Sequence, residues 1–137
     1  MNFPKLKKAP EKTLYVLFAL LIILVLFKFF NQASTDPSAF ISKSQLQQNL
    51  QQPQEQRAIL IDLRTSDELA QTGSIPGAIH KNFYDGDFAQ YIHGLDPNKE
   101  YIVYCWSGVR SRRAAKLMRD QGLHVKDFSQ GMRGWLR

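Results

Sequence analysis

A single cysteine, Cys105, sits between an apolar run and an arginine-bearing segment: Val103-Tyr104-Cys105-Trp106-Ser107-Gly108-Val109-Arg110-Ser111. A cysteine does its chemistry as the thiolate, and thiolates form where amides, a helix N-terminus or cations surround the sulfur. This spacing offers all three. Gly108 lets a short loop curl with its amides inward as an anion-binding nest. The segment after it reads as a helix start, whose unpaired N–H groups and dipole present positive charge. Arg110, five residues on, adds a permanent charge, with Arg112 and Arg113 nearby. A thiol activated in this way needs no general base, and none of the three histidines is adjacent to Cys105. The chemistry would be nucleophilic and covalent. A small buried hydrophobe closing a strand is the other common fate of a free cysteine. Loop, glycine, arginine and helix start together favour the reactive reading.

Metal chemistry finds little support. One cysteine excludes an internal disulfide framework and a Cys-rich zinc site, and His80, His93 and His124 stand 13 and 31 residues apart, without ligand spacing. No cofactor is expected. Asp62 and Arg64 form a second charged pair, which either supports the thiol site or serves as an ion pair and polar cap at a strand end.

The elements that must position these residues follow from apolar patterning. Ala58–Leu63 and Glu100–Cys105 are short, nearly continuous apolar runs, as in strands covered on both faces. Helices are expected at Ser66–Gln71, near Phe88–His93 and over Arg110–Gln121, where Ala114, Leu117 and Met118 share one face before Gly122 stops the run. His124–Phe128 reads as a last strand. Upstream, Ser42 and Gln45 have capping-box spacing, Leu46 and Leu50 lie four apart, and Pro53 ends that polar, Gln-rich helix. Strands alternating with helices predict an α/β fold with an open, mostly parallel sheet. In such sheets ligands bind beyond the carboxyl ends of the strands, where Cys105 falls.

Over residues 39–137 the sequence resembles the rhodanese family. Cys105 through Ser111 resembles its active-site loop, a cysteine followed five places later by arginine. Asp62-Leu63-Arg64 with Glu68 resembles its Asp-x-Arg segment and following Glu, and Gly73-Ser74-Ile75-Pro76-Gly77-Ala78 its Gly-His-Ile-Pro-Gly-Ala stretch, with Ser74 in place of His. Gly131-Met132-Arg133-Gly134-Trp135 resembles its C-terminal glycine–tryptophan signature, although only one glycine precedes Met132. The resemblance implies a sulfurtransferase in which Cys105 carries a persulfide cradled by the amides of Trp106, Ser107, Gly108, Val109, Arg110 and Ser111. It implies a thiosulfate-like donor and an acceptor that is cyanide, a small thiol or a protein thiol. Two alternatives stay open: a non-catalytic module that binds partners or senses persulfides, and a cysteine phosphatase or arsenate reductase. Four residues separate Cys105 from Arg110, one fewer than in tyrosine-type phosphatases.

The 137 residues carry a formal charge of +6. Residues 1–30 hold five Lys and one Glu, a net of +4, whereas residues 31–137 hold 13 basic and 11 acidic groups. The surplus is therefore not spread over a folded face, which argues against nucleic acid as a partner. Leu14–Phe27 contains no charge, and Leu14–Phe30 as one helix would reach about 26 Å, slightly short of a ~30 Å hydrocarbon core. Lys28 lies near the end, where it can snorkel to the interface. A bilayer partner is expected: residues 1–12 as a basic cytoplasmic N-terminus, 13–30 as an uncleaved transmembrane anchor and 31–38 as a linker. Lys5, Lys7, Lys8 and Lys12 before the run place the N-terminus inside. The catalytic domain would then be extracytoplasmic, in the periplasm if the cell is Gram-negative.

Overall fold

Ile59–Asp62 (β1) lies at the centre of a four-stranded sheet in the computed structural model of this chain, which describes residues 11–30 and 37–137. Its neighbours are Ile79–His80 (β2) and Glu100–Tyr104 (β3), and His124–Asp127 (β4) lies beyond β3, so the order is β2-β1-β3-β4. Every pairing is parallel, with Ile61 opposite both Ile79 and Val103, and Val103 opposite Asp127. The described sheet is thus parallel throughout rather than mostly so. Parallel neighbours need crossovers, supplied by Ser66–Thr72 (α3), Phe88–His93 (α4) and Val109–Asp120 (α5). Lys43–Gln51 (α2) precedes the sheet and Gly131–Trp135 (α6) follows it.

Side chains alternate across each strand, and both faces are covered. On one, Ile61, Tyr101, Val103 and Val125 pack with Phe88 and Ile92 of α4 and Ala114, Ala115 and Met118 of α5. On the other, Leu60, Ile102 and Tyr104 pack with Leu46 of α2, Ile75, Phe128 and Met132 of α6. The nearly continuous apolar runs of β1 and β3 are the sequence expression of this double burial. The expected elements between 42 and 128 are present with ends shifted by a residue or two. The sheet adds one strand that was not expected, β2, two exposed residues after Gly77, too short to carry an alternation. The expected capping box forms: the Ser42 hydroxyl accepts from the Gln45 amide and the Gln45 side chain accepts from the Ser42 amide. Lys43 reaches from α2 to donate to the Trp135 carbonyl at 2.7 Å, with its ammonium 5.7 Å from the Trp135 ring. A cation at that helix C-terminus anchors the short α6.

Residues 1–35 and 36–137 form two separate units. In the first, Glu11–Phe30 (α1) is helical, and its described apolar side chains, Tyr15 to Leu26, are exposed. Those twelve residues extend about 18 Å at ~1.5 Å per residue. Among the described residues no helix is long and apolar enough to cross a membrane. The transmembrane helix expected over residues 13–30 therefore has no support in the described helix. Most of the basic N-terminus and of the 31–38 linker lies outside the described residues.

Candidate functional site

Cys105 leaves the sheet at the C-terminal end of β3, with three residues between it and the start of α5, and is 1% exposed. Gly108, at φ +90°, makes the turn into the helix. There a side chain would be strained in conformation and would run into the Ser129 carbonyl. The turn aims amides at the sulfur. The Gly108 N–H donates to Cys105 Sγ at 3.2 Å, and the Ser111 hydroxyl lies 3.8 Å from Sγ as acceptor for the thiol. Burial pushes the thiol pKa up, but the amides of Ser111, Ser107 and Gly108 and the Ser111 hydroxyl outweigh it, so the net shift is downward. Of the six expected loop residues, then, Ser107, Gly108 and Ser111 face the sulfur. Trp106 and Val109 are exposed at the rim.

The loop carbonyls are held away from the sulfur by an element that sequence reading treated only as a signature. Met132 N–H donates to the Cys105 carbonyl at 2.8 Å and Arg133 N–H to the Trp106 carbonyl at 3.1 Å. The first turn of α6 thus uses two amides that the helix itself cannot pair. With these carbonyls turned toward α6, the remaining loop amides are free to converge on Sγ. Gly131, at φ +59°, makes the approach possible: a Cβ there would stand 2.5 Å from both loop carbonyls. Spacing alone carries no trace of these backbone roles.

Arg110 does not stand as a free cation. Its two terminal nitrogens donate to the two Glu68 carboxylate oxygens, each at 2.6 Å, and its guanidinium lies 5.7 Å from the Tyr84 ring centroid. Glu68 is itself placed by the N-terminal capping box of α3, where it accepts from the Thr65 amide at 2.9 Å. Arg110 is the main reason its carboxyl is held down at about 2, against the opposing effect of burial. Both partners are charged at neutral pH, and the pair loses its ion-pair character only as pH falls below the ordinary carboxylate range. The largest downward influences on the thiol are therefore backbone amides, while Arg110, already paired with Glu68, is itself raised further by the charge of Cys105.

Asp62 and Arg64 are fully buried and bound to each other, Arg64 Nη2 donating to Asp62 Oδ2 at 2.6 Å. Arg64 also donates to the Thr72 hydroxyl at 2.8 Å and the Gly73 carbonyl at 2.7 Å, spanning the end of α3. Asp62 accepts from the Tyr104 hydroxyl at 2.6 Å and the Ser74 hydroxyl at 2.9 Å. Burial pushes the Asp62 carboxyl up, and these bonds more than reverse it, leaving it lowered. Among the described residues none of these bonds reaches the 105–111 loop. Sequence reasoning also passed over Asp127, buried at the end of β4. Among the described residues no cluster of three His, Cys, Asp or Glu could hold a metal ion.

An amide-lined, buried, acidified thiol is built to attack an electrophile and to hold negative charge on the atom bonded to it. Comparison with known proteins agrees with that chemistry. The rhodanese-like domain profile matches residues 42–137. The putative sulfurtransferase YtwF of Bacillus subtilis is 35% identical over 95 residues, covering 69% of this chain and 87% of that protein. The thiosulfate sulfurtransferase GlpE of Glaesserella parasuis is 31% identical over 93 residues, 66% of this chain and 82% of that one. Among solved structures, the human single-domain sulfurtransferase TSTD1 superposes with a TM-score of 0.59 at 24% identity, covering 72% of this chain and 95% of its own, a likeness of fold.

Proposed function

Because the chain belongs to the rhodanese-like domain family, we propose that it is a sulfurtransferase that carries sulfane sulfur as a persulfide on Cys105. The Cys105 thiolate attacks the outer sulfur of a thiosulfate-like donor. An Sγ–S bond forms, the donor's S–S bond breaks, and its electron pair leaves on sulfite. A second nucleophile, cyanide or a small or protein thiol, then takes the outer sulfur and returns the thiolate, a two-step covalent exchange. The observation that carries this reading is the convergence of the Ser107, Gly108 and Ser111 amides on a buried, acidified Sγ. They supply charge stabilisation to thiolate and persulfide alike.

Size separates this reading from phosphoryl chemistry. Four residues between Cys105 and Arg110 make a tight ring, suited to one added sulfur rather than to an oxyanion with three outward oxygens. The charge of Arg110 is moreover already matched by Glu68. The full chain should move sulfur from thiosulfate to cyanide and hydrolyse aryl phosphates only at background. Phosphatase turnover that depends on Cys105 would overturn the assignment.

We also propose that the apolar segment 13–30 anchors the chain in a bilayer with the N-terminus cytoplasmic and the family domain outside. The uncharged run, the exposed apolar side chains of Tyr15–Leu26 and the preceding lysines support this. A reporter active only outside the cytoplasm, fused after Arg137, should be active, with the N-terminus retained in the membrane fraction. A reporter silent there but active as a cytoplasmic fusion would remove the proposal.

A further inference from the structure

Behind the thiolate loop a carboxyl is buried without a bonding partner. Asp127 lies two residues from Val125 on β4, so its side chain shares the face that packs on α5. It is 1% exposed, and among the described residues neither carboxyl oxygen has a hydrogen-bond partner. From α5 it faces the Ser111 hydroxyl and the charges of Arg112 and Arg119. From β3 it faces Val103 in register, two residues before Cys105. On its other edge Phe40 pairs beside it and the Ile41 N–H donates to its carbonyl. Burial is the largest influence on this carboxyl and pushes its pKa up. Ser111, Arg112 and Arg119 oppose that and do not reverse it. Arg119 also donates to the Val125 carbonyl at 3.0 Å. The Ser111 hydroxyl faces the carboxyl without closing a bond of ordinary geometry, and the same hydroxyl is 3.8 Å from Cys105 Sγ.

One fully buried hydroxyl therefore faces both a buried thiol and a buried carboxyl. Two negative charges this deeply buried repel each other with little solvent to screen them; Arg112 and Arg119 act on Asp127, and the Glu68-paired Arg110 acts on Cys105. With Cys105 only 1% exposed, an internal group is also a more direct acceptor for its proton than bulk water. We propose that Asp127 is a positioning residue that shares one proton with Cys105 across the Ser111 hydroxyl, so that this part of the interior carries one negative charge at a time. On ionisation the Sγ–H bond breaks and its proton passes to Ser111 Oγ. The proton already on Oγ moves to a carboxylate oxygen of Asp127, and nothing is oxidised or reduced. The thiolate form of the site is then the form with a neutral Asp127. The proposal concerns ionisation alone and holds whichever sulfur donor or acceptor is used.

Ultraviolet thiolate absorbance of the full chain, followed against pH, tests it. Wild-type protein should titrate in two steps separated by more than about one pH unit, the mark of a coupled pair. Asp127→Asn should titrate in one step of full amplitude. A single wild-type step that superimposes on that of D127N overturns the proposal. Should D127N fail to fold, wild-type protein suffices. Capping Cys105 with a neutral methylthio group should lower the midpoint of the Asp127 carboxyl carbon resonance by about one pH unit or more. An unmoved midpoint overturns the proposal equally.

Discussion

Exposed to thiosulfate, the full chain should gain one sulfur atom, roughly 32 Da, through the Cys105 nucleophile. The Cys105→Ser variant should gain none. Sulfur transfer in that variant should fall by on the order of 10³-fold or more, the scale seen when a covalent nucleophile is removed. The serine oxygen can still accept from the Gly108 amide that now bonds Sγ, so the stability change should stay below about 2 kcal/mol. Loss of activity without unfolding separates chemistry from packing. The pH dependence has a definite sign. Because the folded thiol is shifted downward, alkylation of Cys105 should persist below the usual thiol range and vanish only as pH falls through the lowered value. Intact-mass spectra and iodoacetamide rates across pH measure both effects. Wild-type protein left unmodified by a range of sulfane donors would instead favour a binding module.

The thiol loop was legible because its chemistry is local. Cysteine, glycine, arginine and a helix start fall within seven residues, and the strand before them has the apolar density of a doubly covered sheet. Asp62 and Arg64 were legible as a pair but not in their reach, since Arg64 bonds depend on how α3 folds back over β1. Glu68 matched a family position, yet its grip on Arg110 joins residues 42 apart and depends on the crossovers that bring α3 beside α5. The support given by Gly131, Met132 and Arg133 is carried by amides and by a missing Cβ, which residue chemistry does not reveal. Asp127 was silent for a different reason. Its significance is the lack of a partner, and partners are a property of the packed state. The shortness of β2 also has a physical basis, since a two-residue edge strand has no periodicity to detect.

Replacing Arg64 by methionine should cost about 3–5 kcal/mol, because a buried carboxylate is left without its cation. The Tyr104 and Ser74 hydroxyls would remain on Asp62, at 2.6 and 2.9 Å. Burial pushes the Tyr104 hydroxyl well up and the Asp62 carboxylate raises it further, so it stays a donor. Two neutral donors do not replace a guanidinium, and the thermal midpoint should fall by more than about 10 °C. Adding Asp62→Asn to Arg64→Met removes the stranded charge and should recover part of the loss. Such non-additivity is expected of contacting residues. The effect on chemistry should be smaller and indirect. Arg64 ties the Thr72–Gly73 end of α3 to β1, and α3 presents Glu68 to Arg110. Looser anchoring of α3 weakens that grip while leaving the Gly108 and Ser111 amides on the sulfur. Measured well below its own midpoint, R64M should therefore retain most of the wild-type persulfide formation. An unchanged melting midpoint combined with abolished sulfur transfer would place Arg64 at the reacting sulfur and refute its role as a strut beneath α3.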